Sequence, residues 1–126
     1  MHHKIKISDD NKYIILEVED DIINEKMIKC IEKAHQLGME KDIHFYFVDL
    51  RMSKNIDSVT NNYTFAYEKS KEPLDFDNKA KVVMLADPSD HSHDFVETVL
   101  RNAGFQVKLF KDYSEAINNI YDRLAI

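Results

Sequence analysis

The segment 46–62, "YFVDLRMSKNIDSVTNN", holds the most specific arrangement of polar residues in the chain. An apolar run ends on Asp49, and after a short polar turn Asp57 and Ser58 open a pattern of helical spacing. In an α/β sheet the carboxyl ends of parallel strands and the amino ends of the following helices face one crevice, where ligands dock. Exposed amides and the helix dipole stabilise added negative charge there. Ser58 is therefore the phosphorylation candidate, because a phosphoserine adds about −1.5 to −2 charge at a surface without refolding the domain. The plainer role is an N-cap by Asp57 or Ser58, stabilising the helix by about 1 kcal/mol.

The remaining reactive types are sparser. His91, His93 and Asp94 follow an apolar run ending at Asp87 and bring nitrogen and oxygen donors together in sequence. They are weak metal candidates, since a metal site needs three or four converging ligands. Solvation of a helix start is the more economical role. Cys30, the single cysteine, lies on an apolar helix face and reads as a buried, inert thiol. No GxSxG elbow, zinc motif or calcium loop is present, and the two glycines leave no Gly-rich phosphate loop. No catalytic residue and no cofactor follows from these patterns.

These residues must be positioned by regular elements. "KIKIS" (4–8) and "YIILEVE" (13–19) read as an antiparallel hairpin. Apolar positions Ile23, Met27, Cys30, Ile31, Ala34 and Leu37 give a helix from Asn24, expected to stop at Gly38. "IHFYFVDL" (43–50) reads as a strand buried on both faces, and a helix is expected over 58–71. A charged loop leads to the strand "KVVMLA" (81–86). A helix ending at Gly104 and a half-exposed edge strand "FQVKLF" (105–110) follow. The last helix opens with Asp112 and Glu115 as a capping box and faces the core with Ile117, Ile120, Tyr121 and Leu124. The order ββαβαβαβα implies a single α/β domain over 1–126, with a mixed, mostly parallel sheet flanked by helices.

That order, and the 46–62 segment in particular, resembles the STAS domain (sulfate transporter and anti-sigma-factor antagonist). The family carries a strand ending in Asp-Leu, a short turn, and an Asp-Ser pair opening a helix. Asp49 and Leu50 here precede Asp57 and Ser58 by eight positions. In regulatory members that serine is phosphorylated by a partner kinase, so the resemblance implies the same role for Ser58. Where antagonists place a second small residue and then glycine, this chain has Val59 and Thr60. The better overall likeness is to small bacterial STAS-like proteins, which share the "DLR" strand end, a "VVMLAD" strand and an "AGFQVKLF…SEAINNI" ending. That likeness implies a fold and no activity.

The expected function is a non-catalytic regulatory protein-interaction module, with Asp49, Asp57, Phe65 and Phe76 as its interaction surface. Phe65 falls on the helix side opposite Tyr63 and Tyr67, and Phe76 lies in the charged loop. A small apolar ligand or lipid held between the sheet and the helix of Phe65 and Tyr67 is the alternative. A protein partner or self-association is expected. With a net charge of −6 and scattered basic residues, nucleic acid is not. No apolar stretch approaches the roughly 20 residues of a membrane span, and the polar start "MHHKIKISDDNK" lacks a signal-peptide pattern. The cytoplasm is the expected location, in keeping with one cysteine.

Overall fold

The computed structural model describes residues 2–56, 80–102 and 105–125. The helix expected over 58–71, with Asp57, Ser58, Phe65 and Tyr67, lies outside the described residues, as do Phe76 and Gly104. The described elements are β1 (His3–Ile7), β2 (Ile14–Val18), α1 (Asn24–Lys41) and β3 (Phe45–Asp49). Further along the chain come β4 (Lys81–Leu85), α2 (Asp94–Asn102), β5 (Gln106–Phe110) and α3 (Tyr113–Leu124).

The protein is α/β, with one five-stranded mixed sheet in the order β1-β2-β3-β4-β5. β1 pairs antiparallel with β2, from His3 opposite Val18 to Ile7 opposite Ile14. The hairpin turn is built by short polar side chains. Ser8 Oγ donates to Asp10 and accepts from the amides of Lys12 and Tyr13, at 3.0 and 3.1 Å. Asn11 takes the left-handed conformation, φ 60°, which asparagine tolerates. All later pairings are parallel.

Sequential strand order with crossovers of one hand places the connecting helices on one face. α1 and α2 do share a face: Met27, Cys30, Ile31 and Leu100 pack with Leu16, Val18, Val48 and Met84. α3 covers the opposite face, with Ala116 and Ile120 against Phe45, Phe47, Val83 and Leu85. Central β3 is therefore buried on both sides through Val48, which explains its unbroken apolar run. β5 at the edge alternates exposed Gln106 and Lys108 with buried Val107.

Two expectations are corrected. Gly38 does not end α1, which continues to Lys41. Asp42 takes the left-handed capping role instead, φ 54°, and the Ile43 amide closes back on the Gly38 carbonyl at 2.8 Å. Glycine is needed at position 38 for close approach: a Cβ there would stand 2.0 Å from Tyr46 Oη. Tyr121 is not core either, being 41% exposed. Its ring stands edge-on to Tyr13 and its hydroxyl donates to Asp10, while the smaller Ala116 takes the buried position. The Asp112 half of the expected capping box is present, its carboxylate accepting from the Glu115 amide at 3.0 Å.

Candidate functional site at the carboxyl ends of β3 and β4

The loop 50–56 leaves β3 and is fixed on three sides. Leu50 N donates to Leu85 O of the neighbouring strand, 2.8 Å. The Ser53 hydroxyl, 2% exposed, donates to Val18 O at the end of β2, 2.7 Å. Ile22 and Asn55 form an isolated parallel bridge, with Ile22 N to Lys54 O at 2.7 Å and Ile56 N to Ile22 O at 3.0 Å. The Asn55 amide donates to Ser92 Oγ, 2.9 Å, in the loop after β4.

His93 ties the same two loops from beneath. It is 2% exposed, and its Nε2 lies 2.8 Å from Ser53 O. A carbonyl only accepts, so Nε2 carries the proton and donates. Asp90 Oδ2 stands 3.7 Å away on the same nitrogen's side, and the Asp90 carboxylate also accepts from the Ser92 amide at 2.9 Å. The His93 carbonyl accepts from Val96 N at the first turn of α2.

Above this fixed base, two apolar side chains of the loop face water. Met52 is 75% exposed and Ile56 is 61% exposed, while Leu50 before them and Ser53 between them are buried. A loop with its backbone so fully engaged has little freedom to fold these side chains inward. Next to them Asp49 is forked by Arg51, its oxygens accepting from Arg51 Nε at 3.0 Å and Nη2 at 2.7 Å. The guanidinium lies 5.5 Å from the centre of the Tyr113 ring, which meets Phe47 edge-on. Asp49, expected as a contact residue, is held in this fork with Arg51, which is the more exposed of the two. The exposed charge is the arginine's.

The two histidines named as metal candidates turn to different partners. His91 Nδ1 pairs with Asp94 Oδ2 at 2.9 Å on the surface, and His93 is committed to Ser53. Among the described residues no group of three or more His, Cys, Asp or Glu is placed to hold a metal. Asp94 also meets Lys111 Nζ at 2.7 Å. Lys111 first, and His91 second, hold the Asp94 carboxyl below its usual 3.8. Burial pushes the Cys30 thiol up, which fits an inert core position. No buried side-chain nitrogen or oxygen among the described residues lacks a partner.

The Asp94 contacts give a pH prediction. With its folded pKa lowered, the folded state binds this proton less tightly than the unfolded chain does. The contribution is present above the unfolded pKa and lost as pH falls through the folded one. Asp94→Asn is expected to flatten the stability–pH curve below about pH 4 and to leave its slope near neutrality unchanged, read by urea unfolding across pH. An unaltered acid limb in the variant contradicts the pairing.

Met52, Ser53 and Ile56 belong to no motif that marks them in the sequence. A methionine just past a strand end in a short polar turn was the available signal. The buried His35 stacks on Tyr46 with ring centres 4.5 Å apart, a contact that helical spacing does not announce. Compared with protein-family models and with curated proteins, the chain matches none. The reading of the site therefore rests on its own geometry.

Proposed function

We propose that the chain is a regulatory protein-interaction module of STAS type, docking its partner through the carboxyl end of the sheet. Phosphorylation of Ser58 is the switch in this reading. The observation that carries it is the pairing of a fixed loop with exposed Met52 and Ile56 beside the oriented Arg51. Apolar and arginine side chains on a preorganised backbone suit protein docking, because little entropy is lost when they are covered. Asp57 and Ser58 directly follow this loop in sequence, so a phosphate added there would place negative charge within its neighbourhood.

Intact-mass and phosphopeptide analysis of the protein from its own cells tests the switch. A fraction carrying one phosphate, mapped to Ser58 and lost in Ser58→Ala, is the expected result. An unmodified Ser58 under all growth conditions would reduce Asp57 and Ser58 to a helix cap and remove the switch. An apolar ligand retained in native mass spectra would favour a carrier of the same fold instead.

A further inference from the structure

At the other end of β5 lies an open groove of about 490 Å³, lined by Arg101, Phe105, Gln106, Val107, Lys108, Asn119 and Arg123. It contains three cations and no carboxylate, on a chain whose net charge is −6. Four other cations of the strands and their loops are matched: Lys4 with Glu19, Lys6 with Glu17, Arg51 with Asp49, Lys111 with Asp94. Arg101, Lys108 and Arg123 have no such acid among the described residues. Two of them rest on aromatic rings instead, Lys108 Nζ 5.2 Å from the centre of Phe110 and Arg123 Cζ 5.7 Å from that of Phe45. Lys81, opposite Gln106 in the register, shares the Phe45 ring at 5.3 Å. Ring contacts hold the cations in place without neutralising them.

The backbone beside them is a sheet edge. β5 is terminal in the strand order, and Ala86 N donates to Phe110 O, which turns Phe110 and its alternates toward β4. Val107 and Leu109 therefore present their peptide groups outward. The Leu109 amide is taken by the Glu97 carboxylate of α2. That carboxylate closes the carboxyl half of the edge in the way edge strands are commonly blocked. Among the described residues none pairs with the Val107 half, and it is the half that lies in the groove.

We infer that this edge accepts an acidic, extended segment of a partner protein as an added strand along Val107. Backbone pairing to Val107 would supply register, and side chains alternate faces along such a strand. On the α3 side they meet Lys108 and Arg123, so acids fit there. On the α2 side they meet buried Val107 and half-buried Phe105, with one cation, Arg101, and one carboxylate, Glu97, from the helix, so apolar residues fit there. The segment is thus acidic and apolar in alternation. A second copy of this chain fits poorly, since pairing β5 with itself would bring both sets of cations together. The groove is separate from the loop of Met52 and Ile56, and neither proposal depends on the other.

The test uses the whole protein and a labelled peptide of alternating glutamate and valine, followed by fluorescence polarisation. Expected are salt-weakened binding, roughly tenfold loss in Lys108→Glu and in Arg123→Glu, and no binding of the lysine–valine counterpart. Methylating alternate peptide nitrogens should abolish binding, and the Val107 amide should become protected from hydrogen exchange. Circular dichroism confirms that each variant is folded, and Met52→Ala should bind the peptide as the parent does. Absence of binding, equal binding of the N-methylated or lysine peptide, or occupation of the edge by a second copy in sedimentation would overturn the inference.

Discussion

Replacing His93 with alanine is expected to destabilise the folded chain by about 3 kcal/mol, a large loss for a single polar side chain. The residue is 2% exposed and its ring donates to the Ser53 carbonyl, forty positions away in sequence. Removing it strands that buried acceptor, which costs about 1–3 kcal/mol, and leaves the volume of the ring unfilled. Ser53 sits at the base of the loop that displays Met52 and Ile56, so the damage should be local as well as global. Urea unfolding gives the total. Hydrogen exchange should show faster exchange at the amides of Ser53, Asn55 and Ile56, whose partners depend on the same loop geometry. His93→Gln, which keeps a donor on a similar reach, should recover part of both. A loss below about 0.5 kcal/mol, the range of ordinary surface changes, would show that the histidine does not hold the two loops together.

Gly38→Ala is the second, and its sign is what matters. In an exposed helix interior this change stabilises by about 1 kcal/mol, because alanine loses less backbone entropy. Here the new methyl would lie 2.0 Å from Tyr46 Oη, 2.8 Å from Tyr46 Cζ and 2.8 Å from the Ile43 carbonyl oxygen. None of these atoms can withdraw freely. The Tyr46 ring is 3% exposed and stacked on His35, and the Ile43 amide is bonded to Gly38 itself. Overpacking of this kind costs about 1–3 kcal/mol and more than offsets the alanine gain, so a net destabilisation of about 1 kcal/mol is expected from thermal or urea unfolding. Tyr46→Leu in the same background should couple strongly with it, because it removes two of the three crowded atoms. An alanine variant more stable than the parent would contradict the close approach.

Much of this fold is legible in local pattern. The sequence "FYFVD" has no polar residue until Asp49, and only a strand covered on both faces wants that. The alternation in "QVKLF" marks a strand with one wet side, which the edge position of β5 explains. Asp112 three residues before Glu115 spells out its cap locally. What local pattern misreads is what distant residues impose. Gly38 looks like a helix stop until the ring of Tyr46 is placed against it, and Asp42 serves as the stop because a short polar side chain tolerates φ 54°. Tyr121 has the spacing of a core residue, but at the helix periphery its hydroxyl reaches Asp10 of the first hairpin.

The site divides the same way. Asp49 and Arg51, two positions apart, form a fork that the sequence alone displays without announcing it. The bonds from Ser53 to Val18 and from His93 to Ser53 span 35 and 40 positions, and only strand register brings those residues together. Exposure of Met52 and Ile56 is likewise set by which backbone groups the neighbouring loops capture. Periodicity carries no information on that in a short turn with no regular element. Asp57, Ser58, Phe65 and Phe76 belong to the segment outside the described residues, so the proposed switch rests on its place in sequence beside this loop.

The most direct measurement for a docking role is photo-crosslinking in the native cells from a benzoylphenylalanine placed at position 52. Position 39 serves as the control, since Met39 is also exposed, at 52%, but lies on α1 away from the β3 and β4 loops. A discrete protein adduct from position 52 and none from position 39 is the predicted result. Its yield should change in Ser58→Asp if the serine is the switch. Equal adducts from both positions, or none from position 52, would contradict a partner docked at the carboxyl end of the sheet.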